Sequence, residues 1–182
     1  MIRLEFQLER EDHVTFQLYI ASKSERIKKN RKTTKYRVPI AYLILATIIF
    51  FVGELGLSIM FILIGILWYL FYPKYELKRY EKHYRSYVEE NFKTELESMA
   101  IIEFTETVIN TNDNKGNSTI KIETIKEIDE IENYFFIRLS PGLGLIIPKS
   151  KITDMSGFEN WLNEIIKKYG IKRNVDLAWK WK

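Results

Sequence analysis

The sequence predicts an α+β membrane protein: a two-helix transmembrane hairpin plus a small antiparallel sheet domain with a C-terminal helix. Three observations carry this. An apolar block runs from Val38 to Pro73 with Glu54 as its one side chain charged at neutral pH. Basic segments flank that block on both sides. From about Met99 onward short alternating runs give way to a single amphipathic stretch near the C-terminus.

Average composition hides this organisation. At 182 residues the chain has the length of one domain, or of a short membrane module plus a small domain. A mean hydropathy of −0.19 and 29% charged residues look soluble. Yet Lys23–Arg37 contributes +7 and Lys74–Arg85 contributes +3, leaving −6 for the rest of a chain whose total is +4. The basic balance comes from the flanks of the apolar block and not from a basic folded surface, which excludes nucleic acid as the expected partner. With no cysteine, disulfides, thiolate metal sites and cysteine nucleophiles are excluded.

The chain opens on strict alternation from Ile2 to Leu8, a half-buried strand. The segment "REDHVTFQLYIASKSERIKKNRK" starts acidic and ends basic, as a helix dipole favours, with Val14, Leu18 and Ala21 on one face. The block that follows is too long for one crossing. As a single helix at ~1.5 Å per residue it would reach roughly 54 Å, against a hydrocarbon core of about 30 Å. It would also bury Glu54 near the bilayer centre at a cost of ~3 kcal/mol or more. A turn over 53–56, with Gly53 and Gly56 supplying dihedral freedom and Glu54 reaching water, removes both problems. The arms are then 38–52 and 57–72, with Pro39 in the first turn of one and Pro73 ending the other. Trp68, Tyr69 and Tyr72 fall where an interfacial aromatic belt belongs. Both basic flanks lie on one side of such a hairpin, so both termini are expected in the cytoplasm. The short arms also permit a re-entrant hairpin. No signal peptide is expected, since the block starts far from the N-terminus. That topology also gives little weight to the glycosylation triplet at Asn117-Ser118-Thr119.

The domain partition expected is therefore a cytosolic strand and basic helix over 1–37, the hairpin over 38–73, a juxtamembrane helix over 74–98 and a sheet domain over 99–182. In the juxtamembrane helix Tyr80, Tyr84 and Tyr87 make a stripe with Leu77 and Phe92, read as packing against the neighbouring helix. "SMAIIEFTETVINT" and "STIKIETIKEID" read as strands around a polar loop at Asn112–Asn117, where Lys115 stands opposite Asp113. "NYFFIRLS" and "GLGLIIPKS" read as a hairpin turning at Pro141-Gly142. "MSGFENWLNEIIKKYG" is a helix with Phe158, Leu162 and Ile165 or Ile166 inward and Gly170 as its cap. "DLAWKWK" reads either as a frayed tail or as a segment that touches the membrane or a groove.

The arrangement resembles the YcxB-like proteins of bacteria. "LEREDHVTFQLY", with Asp12, Phe16 and Tyr19, "IKIETIKEIDEIENYFFIRL", and "LIIPKSKI", with Ile147, Pro148 and Lys149, carry the resemblance. It implies a pleckstrin-homology-like sheet with a capping helix behind two membrane spans in the bacterial inner membrane. It implies no catalytic activity. The family usually has Trp where Ile122 stands, so no role tied to that ring carries over.

No catalytic, cofactor or metal site is expected. His13 and His83 lack companions at ligand spacing and read as exposed helix residues. Gly142-Leu143-Gly144 lacks the strand–turn–helix setting of a phosphate loop, and Glu89-Glu90 and Asp129-Glu130 read as ordinary solvated pairs. The charges best placed to act are those facing anionic lipid heads: Lys23, Arg26, Lys28, Lys29, Arg31, Lys32, Lys35 and Arg37 before the block, and Lys74, Lys78 and Arg79 after it. The expected partners are the lipid bilayer and another membrane protein or a second copy of the chain, with no small-molecule substrate. The function expected is non-catalytic: an anchored interaction module. The alternative is a small immunity or envelope-stress protein whose spans bind a membrane-active peptide or another membrane protein. A pore would need an oligomer, and neither arm carries an internal charge to mark an ion path.

Overall fold

The computed structural model describes residues 2–96, 98–113, 116–140 and 143–181. They form two compact units: residues up to Gln17 with Tyr84–Lys180, and Leu18–His83 with Trp181.

In the first unit β1 (Ile2–Phe6), β2 (Ala100–Phe104), β3 (Val108–Asp113) and β4 (Gly116–Lys121) form an antiparallel sheet in that order. The N-terminal strand joins the sheet of the C-terminal region: Leu4 pairs with Ile102 and Phe6 with Ala100. A second sheet has the order β7 (Leu143–Pro148), β6 (Tyr134–Ser140), β5 (Glu127–Glu130) and β8 (Lys172–Val175). Between β7 and β8 runs α5 (Met155–Tyr169), with Asp154 as N-cap accepting from the Gly157 amide at 2.9 Å. Gly170 closes it in the left-handed conformation, φ 66°. The inner sheet faces and α5 share one core built around Phe104, Ile128, Phe135, Ile147, Phe158 and Leu162, all fully buried. Phe104 meets Phe158 and Trp161 edge-on, and the Trp161 indole donates to the Thr105 carbonyl at 2.8 Å. Ile122 is also fully buried, so the aliphatic residue serves the core.

Three features differ from the sequence expectation. "SMAIIEFTETVINT" is two strands and not one, because the Thr105 hydroxyl accepts from the Val108 amide at 3.1 Å and builds a side-chain turn. "STIKIETIKEID" is likewise broken by a 3₁₀ turn at Ile122–Thr124, after which the chain changes sheets. The strand β8 has no apolar alternation to announce it and pairs parallel to β5, Glu127 opposite Lys172. Pro141-Gly142 and Lys115 lie outside the described residues.

Helix α1 (Arg10–Lys23) ends before Ser24, whose hydroxyl caps α2 (Glu25–Phe51) through the Ile27 amide. Its first half lies on the outer face of the second sheet. Phe16 meets Phe136 at 5.2 Å, and the Tyr134 hydroxyl donates to Asp12 at 2.7 Å. Asp12 also accepts from the Glu9 amide at 2.7 Å, which fixes the start of the helix. His13 is buried, 4% exposed, and stacks on Phe92; it is not the exposed residue expected, because both faces of this helix are covered.

In the second unit α2 and the part of α3 (Leu55–Asn91) up to His83 form the expected hairpin. Neither proline bounds a helix. Pro39 and Pro73 each remove one backbone donor, but strong helix formers in "ERIKKNRK" and "KYELKRYEK" carry the helix past them. A four-residue helix, α4 (Lys93–Leu96), precedes β2. Residues more buried than their neighbours recur at 39, 42, 46 and 49 on α2 and at 58, 61, 65, 68 and 72 on α3, alternating steps of three and four. That spacing makes a narrow helix–helix seam. Small residues sit on it: Ala46, Ser58 and Gly65, with the Ser58 hydroxyl donating to the Ala46 carbonyl at 2.9 Å.

The turn is shorter than 53–56. The Gly53 amide donates to Phe50 and the Glu54 amide to Ile49, a Schellman closure with Gly53 at φ 97°. Glu54 is exposed and starts α3 through its carbonyl, which accepts from the Ser58 amide at 3.1 Å. Gly56 is helical and has open space where a Cβ would stand. Gly53→Ala is expected to cost about 1 kcal/mol through left-handed strain. Gly56→Ala should be neutral or gain up to ~1 kcal/mol from helix propensity. Unfolding in mixed micelles with increasing dodecyl sulfate, read by helical circular dichroism, separates the two.

Candidate functional site

The base of the hairpin gathers the charges that the sequence placed beside the apolar block. Lys23, Arg26, Lys28, Lys29, Lys32 and Arg37 are exposed on α1 and α2, as are Lys74, Lys78 and Arg79 on α3. Lys28 is tied to Glu25 at 2.8 Å. Arg31 and Lys35 are half-buried and have neighbours on α3. Arg31 turns toward α3, where its Nε donates to Glu76 at 2.8 Å, and Trp181 covers the guanidinium at 4.4 Å. Its side chain is only 13% exposed and that of Glu76 only 4%. Lys35 lies over the Tyr69 ring at 4.4 Å with Tyr36 at 6.0 Å.

Glu76 is thus the buried carboxylate of the hairpin unit. It accepts from Arg31 and, at 3.3 Å, from the Tyr72 hydroxyl. Joining α2 to α3, the pair fixes which turn of one helix faces which turn of the other. Two buried ions gain little net stability from meeting, but removing either one strands the other, at a cost of about 3–5 kcal/mol. Trp181 also meets Tyr80 at 4.9 Å, so this residue of "DLAWKWK" packs on the helical hairpin and is not frayed. Tyr80 of the tyrosine stripe serves that contact, and Tyr87 meets Phe92.

The sheet unit carries its own ionic cluster on strand β5, which sequence reading missed. Asp129 and Glu130 are not a solvated pair but are 1% and 7% exposed. On one face of the strand Glu127 and Asp129 meet Arg138, the latter at 2.6 Å, and both accept from the Asn174 amide group. On the other, Glu130 accepts from Lys149 at 2.7 Å and from Arg173 at 2.6 Å, and Arg173 continues to Glu159 of α5 at 3.1 Å. The Lys149 of the Ile-Pro-Lys motif therefore clamps a buried carboxylate. Burial pulls the Glu130 pKa upward, but the hydrogen bonds from Lys149 and Arg173 outweigh it and hold the carboxyl below its usual range. Burial lowers and Glu130 and Glu159 raise the Arg173 pKa, with a net rise. Burial, reinforced by Asp12, holds the Tyr134 phenol well above its ordinary value.

A cavity of about 190 Å³ opens in the same unit beside α1 and β7, with Phe6, His13, Phe16, Phe92, Ala100 and Leu145 in its lining. His83 is exposed. Among the described residues no three His, Asp or Glu side chains are placed to hold a metal ion.

The fold defines a class: two adjacent long apolar helices with a pleckstrin-homology-like module of two sheets and a capping helix. Residues 104–162 match the family model described as YcxB-like protein. The match contains two of the three motifs that carry the resemblance, and "LEREDHVTFQLY" lies outside it. No curated protein and no solved structure matches the chain.

Because the Glu130 pKa is depressed in the folded state, its contribution is complete above the ordinary carboxyl value of 4.5 and is lost as pH falls through the lower folded value. Glu130→Gln should cost about 3 kcal/mol at neutral pH. The difference from wild type should shrink steadily below pH 4.5. Thermal unfolding of the solubilised chain between neutral and acid pH, followed by near-ultraviolet circular dichroism, measures it.

Proposed function

We propose that this chain is a non-catalytic inner-membrane protein whose helices cross the bilayer as a hairpin. It holds the sheet unit at the cytoplasmic face as a docking module for another membrane protein or a second copy of itself. One observation carries the reading. The most apolar windows of α2 and α3 are only 6% and 17% buried within the protein. A core helix of a soluble protein would be covered, so this surface calls for lipid.

The charge pattern supports the orientation, since both basic flanks adjoin the same end of the hairpin. Lys23, Arg26, Lys28, Lys29, Lys32, Arg37, Lys74, Lys78 and Arg79 would face anionic lipid heads there, while Arg31 is reserved for Glu76. Strand β4 supports the docking role: it is the edge of its sheet, and all its residues except Ile120 are exposed. Such an edge can accept an added strand.

The absence of cysteine makes labelling clean. Glu54→Cys should react from outside intact cells with an impermeant thiol reagent, and Lys167→Cys, on the exposed side of α5, only after permeabilisation. Protection of residue 54 in intact cells would refute the crossing and favour a re-entrant hairpin. Glu54→Gln should insert as wild type does. Crosslinking in native membranes tests the docking role, which fails if neither a partner nor a second copy is captured.

A further inference from the structure

The lipid-facing side of the hairpin is not smooth. A groove of about 260 Å³ runs between Pro39 and Leu43 of α2 and Phe61, Ile62, Gly65 and Tyr69 of α3. It exists because Gly65 has no side chain and Pro39 faces it: a Cβ at 65 would stand 3.7 Å from the Pro39 backbone. The lining is apolar, with Tyr69 at the end nearest Lys35.

That same end carries Lys35. Residues 35, 39 and 43 share one face of α2, and the ammonium stands 4.4 Å from the Tyr69 ring. Arg31, one turn earlier, is neutralised by Glu76, but Lys35 has no carboxylate partner among the described residues. Two tyrosine rings hold this cation without cancelling its charge. From Lys35 to Leu43 the helix rises roughly 12 Å, most of the ~15 Å depth of one leaflet.

We infer that the groove holds one anionic phospholipid, an acyl chain lying along Pro39 and Leu43 and the phosphate meeting Lys35 beside the Tyr69 ring. This rests on the reading of the hairpin as a membrane crossing. Charge decides between occupants. A second copy packed symmetrically on this face would bring another Lys35 toward the first, and a helix about 10–12 Å wide does not enter a groove one side chain deep. A lipid brings the missing negative charge and a chain of the right width.

The test uses the full chain. Retention in phosphatidylcholine vesicles after alkaline carbonate is scored first. Native mass spectrometry in mixed micelles then compares dioleoyl phosphatidylglycerol with dioleoyl phosphatidylcholine. One phosphatidylglycerol is expected to bind, preferred about fivefold, the worth of one well-placed lysine. Lys35→Gln should bring the two lipids to parity, and Lys167→Gln, exposed on α5 of the sheet unit, should leave the preference intact. Gly65→Leu, which fills the groove, should weaken both lipids about fivefold with helical content unchanged. If it does not fold, Ile62→Trp obstructs the same groove from the lipid side. A retained chain that binds both lipids equally, keeps its preference in Lys35→Gln, or covers the groove by dimerising overturns the lipid site alone. Extraction by carbonate overturns the crossing and the site with it.

Discussion

The two apolar arms have almost nothing within the protein to bury against, and much of the hairpin unit follows from that. A narrow seam of small and aromatic residues is all the contact the arms make with each other, leaving Leu43, Ile44, Phe50, Leu63 and Leu67 more than half exposed. In water such a surface would be an aggregation site; in lipid it costs nothing. The close seam requires the backbones to approach at Ala46, Ser58 and Gly65, and the polar atoms left over must be matched locally. Ser58 does so by donating to Ala46. Charge is pushed to the two ends, where Glu54 reaches solvent at the turn and Glu76 is met by Arg31 at the base.

The sheet unit solves a different problem, a central strand that carries three acids. Strand β5 is central in its sheet, with β6 on one side and β8 on the other, so its side chains are covered. Glu127, Asp129 and Glu130 survive there because Arg138, Lys149, Arg173 and Asn174 arrive from three other strands or their ends. Buried ions of this kind add little net stability over an apolar core, but each wrong pairing would strand a charge. They therefore specify register. The parallel pairing of β8 depends on this most, since Arg173 and Asn174 are its anchors and its apolar content is slight.

That distinction explains what was legible. Apolar period exposes β1, the inward face of α5 and the two arms, since Leu4, Phe158 and Leu162 announce their burial by spacing alone. The turn was legible in kind, through Gly53, but not in length, since nothing in Gly56 itself shows that it is already helical. The ionic cluster was invisible for a physical reason. Asp129 and Glu130 look solvated until Arg138, Lys149 and Arg173 are brought beside them by the fold, and local sequence does not encode that meeting. His13 misled in the same way, as its ring is buried against Phe92, far along the chain.

The base of the hairpin shows how such hidden pairings select function. By sequence, Arg31 and Lys35 are equivalent members of a basic run, and Glu54 is the conspicuous carboxylate because it stands alone among apolar residues. Packing reverses both impressions. Glu54 is ordinary, an exposed residue at the end of a turn, while Glu76, inconspicuous among charged neighbours, is buried and claims Arg31. Once Arg31 is claimed, the two lysine and arginine positions one turn apart no longer do the same work. One charge locks helix to helix, and the other is left beside an apolar groove with tyrosine rings beneath it. A selective site for an anionic lipid, as proposed, needs a cation that is held in place and uncompensated, and among the described residues of this hairpin Lys35 meets both conditions.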